Sequence, residues 1–169
     1  TMAVRVEALG LTLSGAAAIP AADSRKKVMA QLSGRRIVQM VKENLTIDKI
    51  LTREAFENAI KVNAAVGGSS NFIIHLTAIA GRIGVDLSLD DFDALGSKIP
   101  LLLNLMPSGK YLMEDFYYAG GLPVILNEMK EHLHKNVITV TGKNHHENII
   151  GNTDNYNEDV IAAYDKPFI

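Results

Sequence analysis

Five consecutive residues, Gly67-Gly68-Ser69-Ser70-Asn71, have the types and spacing to hold an anion. Two glycines interrupt one helical pattern and another resumes at Asn71, so backbone N–H groups and two hydroxyls meet at a helix start. Helix N-termini carry unpaired donors and partial positive charge, which suits a carboxylate or a phosphate. The plainer reading is a tight helix–helix junction, with the glycines making the turn and Ser69 or Ser70 capping the next helix. No Gly-Lys-Ser or Gly-Lys-Thr closes the segment, so it is not a P-loop.

The other reactive side chains read as structural. His75 follows on an apolar stretch, where a core histidine bonded to one backbone carbonyl is the expected state and acid/base work the alternative. His132, His134, His145 and His146, with Glu128 one helical turn before His132, invite a metal. Their spacing matches no zinc pattern, and the polar surroundings predict solvated side chains. Asp90, Asp91 and Asp93 lack the glycine and spacing of a calcium loop and fit a helix N-terminus instead. Glu114 and Asp115 are adjacent and face different directions on a helix, so they are not a catalytic pair. Arg25-Lys26-Lys27 and Arg35-Arg36 have no interleaved aromatics and predict a solvated helix face. No residue is assigned a catalytic or metal-binding role on these grounds.

The elements that must position the junction follow from periodicity. Met2–Leu9 reads as a helix end stopped by Gly10, and residues 11–22 as a small-residue loop. Asp23 or Ser24 caps a helix to about Asn44, whose Val28, Leu32, Ile37, Val38 and Val41 form an apolar side. A short turn at 47–51 precedes a helix capped by Thr52, with Phe56, Ile60 and Ala64 on one stripe. The helix from Asn71 to Ile83 is apolar on nearly all sides and is expected to be buried. Ser88 and Asp91 fit a capping box opening a helix to about Leu95. Residues 100–105 and 137–141 are the strand candidates. Residues 111–119 read as helix, and Pro123 opens another to about His132. The polar tail from Asn144 reads as loop.

Composition bounds the function. The 169 residues, 47% apolar with net charge −2, are enough for one domain core and give no electrostatic reason to bind nucleic acid or an anionic membrane. Apolar runs are too short to span a bilayer, and no basic segment leads into an apolar core as in a secretory signal. Asn44-Leu45-Thr46 fits a glycosylation sequon by chance. The absence of cysteine excludes disulfides, thiolate-held zinc, a cysteine nucleophile and a cluster ligated by these residues. A cytoplasmic protein is expected. The chain opens at Thr1 inside what reads as structure, which suits an internal piece of a longer protein.

Continuous stretches then resemble a known family. Ala65-Val66-Gly67-Gly68-Ser69-Ser70-Asn71 with His75-Leu76, residues 84–93, residues 107–111 with Met113-Glu114-Asp115, and Val140-Thr141-Gly142-Lys143 with Glu147-Asn148 resemble successive blocks of the dihydroxy-acid and sugar-acid (6-phosphogluconate) dehydratases. Thr1-Met2, Glu7-Ala8-Leu9-Gly10 and residues 18–21 resemble the text just after that family's third cluster cysteine. Ser70 stands where the family more often has threonine, and Asn144-His145-His146 departs from its usual wording.

The resemblance implies an α/β fold: residues 1–169 as one partial domain, the helix-rich internal part of an α/β/α N-terminal domain with few strands. It lacks the cluster-cysteine segments and the C-terminal barrel domain. In enzymes the chain resembles, a 2Fe–2S cluster on three cysteines acts on the leaving hydroxyl, magnesium holds the substrate carboxylate, and a serine removes the proton. None of these groups falls within the chain. The resemblance leaves Ser69, Ser70 and Asn71, and Thr1-Met2, as pocket wall. Residues 114–123, preceded by Leu105-Met106-Pro107, look more like the sugar-acid branch than the branched-chain amino-acid branch. A small sugar acid or dihydroxy acid is the implied substrate, and a homo-oligomer the implied parent. The alternative of another class is a helical interaction domain without chemistry, and an excised piece is expected to self-associate through bared apolar surface.

Overall fold

The computed structural model describes residues 2–169. Helices dominate: α1 (Met2–Ala8), α2 (Ser24–Lys42), α3 (Ile47–Ile50), α4 (Arg53–Ala65), α5 (Asn71–Arg82), α6 (Leu89–Gly96), α7 (Met113–Tyr118), α8 (Leu122–Glu128) and α9 (His145–Ile149). The centre is α4, which packs against α1, α5, α6 and α8. Its Ala55, Phe56, Ala59, Ile60, Val62 and Ala65 are all buried. Burying a ring such as Phe56 contributes roughly 2–3 kcal/mol, so this helix anchors the rest.

Local chemistry sets the helix starts. Thr52 Oγ1 accepts from the Ala55 N–H at 3.4 Å, and Asp23 Oδ1 from the Arg25 N–H at 2.8 Å. At Ser88 the N–H donates to Asp91 Oδ2 at 2.7 Å. Pro123 lies in the first turn of α8, where its missing N–H has no intrahelical partner to lose.

The helix-rich part of the expected fold stands, but the α/β strands do not form a sheet. Among the described residues, 100–105 and 137–141 contribute only isolated bridges: Leu103 to Ile161, Leu105 to Tyr111 and Ile138 to Asn144. Residues 101–104 instead exchange single bonds with the end of the chain. The Ala162 N–H donates to Leu102 O at 2.8 Å and the Phe168 N–H to Leu101 O at 3.0 Å. The tail read as polar loop therefore buries Val160, Ile161 and Ala162 and contains α9. Such single contacts satisfy a few backbone groups without building a ladder.

Two helices also sit differently from expectation. α5 buries only Phe72, Leu76 and Ala80, while Ile74 is 67% exposed. The apolar side of α2, from Val28 to Val41, is exposed as well, and Met40 is its buried residue. Val28 and Leu32 on that side border a cleft across from Tyr117, Tyr118 and Leu122.

Candidate functional site

α4 ends in a wrapped turn. The Gly67 N–H donates to Ala64 O at 3.1 Å and the Gly68 N–H to Asn63 O at 2.9 Å. Gly67 has φ +63°, a left-handed conformation that residues with a Cβ resist. Ser69, Ser70 and Asn71 follow in the open. The Phe72 and Ile73 N–H groups turn back onto Ser69 O and Ser70 O at 3.1 and 3.0 Å. The expected serine cap is absent: Ser70, at the N-cap, makes no capping bond. The N–H groups of Ser69, Ser70 and Asn71 have no partner among the described residues. These are the orphan donors of a helix start, and they face solvent.

Directly beneath lies Arg5, a residue that sequence reading passes over. It is 1% exposed, and its Nε and Nη2 have no hydrogen-bond partner among the described residues. Nη1 donates to Met2 Sδ at 3.2 Å and makes a long bond to Ser69 Oγ at 3.5 Å. The guanidinium also lies over the Phe72 ring, 4.9 Å from its centroid. Burial pulls the Arg5 pKa below its ordinary value. Gly68 is what permits this approach. A Cβ there would stand 2.6 Å from Arg5 Nη2 and 1.8 Å from Asn63 Oδ1, itself unpartnered. Thr1, expected beside Met2 as pocket wall, lies outside the described residues.

The family model for the dihydroxy-acid/6-phosphogluconate dehydratase N-terminal region matches residues 1–148. The chain belongs to this dehydratase family. It is 60% identical over 162 residues to an L-arabinonate dehydratase of Rhizobium leguminosarum bv. trifolii, covering 95% of the chain and 28% of that relative. It is 52% identical to an L-arabonate dehydratase of Azospirillum brasilense, covering 99% of the chain and 29% of the relative. A dihydroxy-acid dehydratase of Ignicoccus hospitalis is 45% identical, with 99% and 31% covered. The chain thus spans under a third of the length of these relatives.

The remaining candidates in the chain are held by structure. His75 is exposed on α5, because the face expected to be buried has no neighbour. His134, His145 and His146 border one pocket of about 130 Å³, yet among the described residues no group of three or more His, Cys, Asp or Glu could hold a metal. Three of the four C-terminal-third histidines are engaged rather than merely solvated. His132 stacks on Tyr164 with ring centroids 4.2 Å apart. His134 Nε2 meets Glu57 Oε2 at 2.7 Å, and His145 Nε2 meets Ala8 O at 2.9 Å.

Asp91 caps α6 and pairs with Arg53, whose guanidinium holds its carboxyl well below the usual range. Asp115 accepts the Leu112 N–H at 2.8 Å, as a helix-start carboxylate does. Arg36, expected on a solvated face, is half-buried. It donates from Nε to Val140 O at 2.5 Å and from Nη1 to Glu43 Oε1 at 2.7 Å.

A second buried charge sits two residues from Arg5. Glu7, 2% exposed, accepts the Gly15 N–H at 2.6 Å and the Ala17 N–H at 2.9 Å. Burial pushes its pKa up to about 7, against the lowering effect of those two donors. It borders a cleft of about 490 Å³ beneath α2 that Arg25, Val28, Tyr117 and Tyr118 also line.

Proposed function

We propose that the chain is part of a hydro-lyase that dehydrates a sugar (aldonic) acid to a 2-keto-3-deoxy acid. The supporting observation is the gradient of likeness: 60% and 52% identity to the two sugar-acid dehydratases against 45% to the dihydroxy-acid dehydratase. In this reading residues 1–169 form one partial domain, and Ser69, Ser70 and Asn71 contribute wall to the acid-binding pocket. Loss of water from two adjacent hydroxyl-bearing carbons leaves an enol, which tautomerises to the keto acid.

The residues present do not fit the family's cofactors. There is no cysteine to hold an iron–sulfur cluster, and no carboxylate set among the described residues to hold magnesium. In the proposed whole enzyme both groups, and the serine base, would come from other segments. The 169-residue chain alone is accordingly expected to be inactive. No helix among the described residues is long and apolar enough to cross a membrane.

The test is to express the whole gene product and compare L-arabinonate with 2,3-dihydroxyisovalerate by keto-acid formation. The expected result is a preference of at least about tenfold for the sugar acid, the scale on which one pocket discriminates related substrates. Preference for the branched-chain acid would move the protein to the runner-up reading, dihydroxy-acid dehydration, which 45% identity keeps open. Turnover of neither would favour the non-catalytic helical domain.

A further inference from the structure

We propose that the pocket between the 130–135 loop and α9 binds a small aromatic carboxylate, its ring on an apolar floor and its acid group at a cationic mouth. The floor is Leu126, Leu133 and Ile149, and the mouth is Lys130, Lys135 and His146. Leu126 and Ile149 are buried, whereas the three mouth residues are exposed. The volume of about 130 Å³ is close to the ~150 Å³ of an apolar cavity that takes up benzene.

The two walls are fastened independently, so the hollow is built into the fold. On one side Asn58, itself buried, donates from Nδ2 to His134 O at 3.0 Å and accepts the His134 N–H at 2.8 Å. Lys61 Nζ donates to His132 O at 2.9 Å, and His134 Nε2 meets Glu57 Oε2. On the other side Asn148 ties down α9. It donates from Nδ2 to Thr139 Oγ1 at 2.9 Å and accepts at Oδ1 from Thr141 Oγ1 at 2.7 Å. A preformed hollow with an apolar lining and a few polar groups is the usual form of a small-molecule site.

Charge fixes the sign and orientation of the ligand. Glu131, the carboxylate at this pocket, is paired with Lys135 at 2.8 Å. Lys130 is left as the lysine of the mouth without an ion pair among the described residues. Deeper in the wall, His145 donates from Nε2 to Ala8 O, because a carbonyl can only accept. Burial lowers the pKa of that imidazole, which keeps it neutral. The interior is therefore uncharged and the cation sits at the mouth, which matches a monoanion with an apolar body. A polyhydroxylated acid would press its hydroxyls against Leu126 and Ile149 without partners, and the site disfavours it. The inference does not rest on the proposed function.

The experiment is titration of the whole gene product into 4-fluorobenzoate, followed by fluorine NMR. Saturable line broadening is expected, reversed by benzoate and not by equal concentrations of acetate, benzyl alcohol or L-arabinonate. Leu133→Trp fills the hollow and should abolish the broadening. Lys130→Glu, a surface change, turns an exposed attraction into a repulsion and should weaken binding about tenfold. Cooperative urea unfolding verifies that each variant folds, and Lys130→Glu decides alone if Leu133→Trp does not. Absence of saturable broadening, equal displacement by any of the three other compounds, or undiminished binding by a folded variant overturns the proposal.

Discussion

Glu7 and Arg5 stand two residues apart on α1, both essentially dry, and their charges are treated in opposite ways. Glu7 is enclosed by the Gly15–Ala17 loop, which aims two backbone N–H groups at its carboxylate. Arg5 is enclosed by the 67–71 turn, which gives it one long bond and leaves two nitrogens unpartnered. The first arrangement is self-sufficient: every strong acceptor has a donor, and the loop gains its shape from the bond. The second is incomplete among the described residues: no counter-charge meets the guanidinium, and its Nη2 lies near an equally unpartnered Asn63 Oδ1.

The sharpest contrast is expected from pH. Glu7 has a native pKa of about 7 against an ordinary 4.5, so between those values the folded state holds a proton the unfolded chain has released. Stability from this group is fully present below pH 4.5 and is lost as pH rises to 7, by roughly 3 kcal/mol. Glu7→Gln should flatten that slope in urea denaturation followed across pH 4–8; an unchanged slope would remove Glu7 as its source. Next in size is Gly68→Ala, which drives a methyl into Asn63 and Arg5 and should lower stability by about 2 kcal/mol. A neutral result would mean that the Arg5 pocket gives way easily to the added methyl. Smallest, and opposite in sign, is Arg5→Met. It replaces an unpaired buried charge with an apolar side chain of similar reach and should stabilise the ligand-free chain by about 1 kcal/mol. Destabilisation in the same assay would mean that Arg5 is already satisfied.

Much of the scaffold could be read from residue order alone. Thr52, Asp23 and the Ser88–Asp91 pair cap the helices assigned to them, because these bonds join residues two or three apart. The glycine pair at 67–68 marked the junction for the same reason. What escaped was set by distant neighbours. Residues 100–105 look like a strand, yet their partners lie near position 160, and so few bonds form that no ladder results. His145 looked solvated until α9 brought it to Ala8 O. Arg5 is a single arginine in a short helical pattern, and such a side chain is ordinarily outside. The only cue was its neighbours: Val4, Ala8 and Leu9 make a core-facing run with little room for a charge. The apolar stripe of α2 illustrates the converse, since periodicity identifies a face without saying that anything will cover it.

That bare stripe bears on how the molecule breathes. α2 is tied down by Met40, its buried residue, by Arg25 over the Tyr117 ring, by the Lys26 Nζ bond to Ala16 O and by the Arg36 reach to Val140 O. A helix so fastened belongs to the low-energy end of sub-global opening, well below the α4 centre in protection. Its amides should be the first long-helix amides to exchange with solvent. When it swings away, water enters the cleft it roofs and solvates the carboxylate of Glu7. Each such excursion lets that carboxylate ionise at less expense than in the closed form, so the frequency of opening should climb with pH.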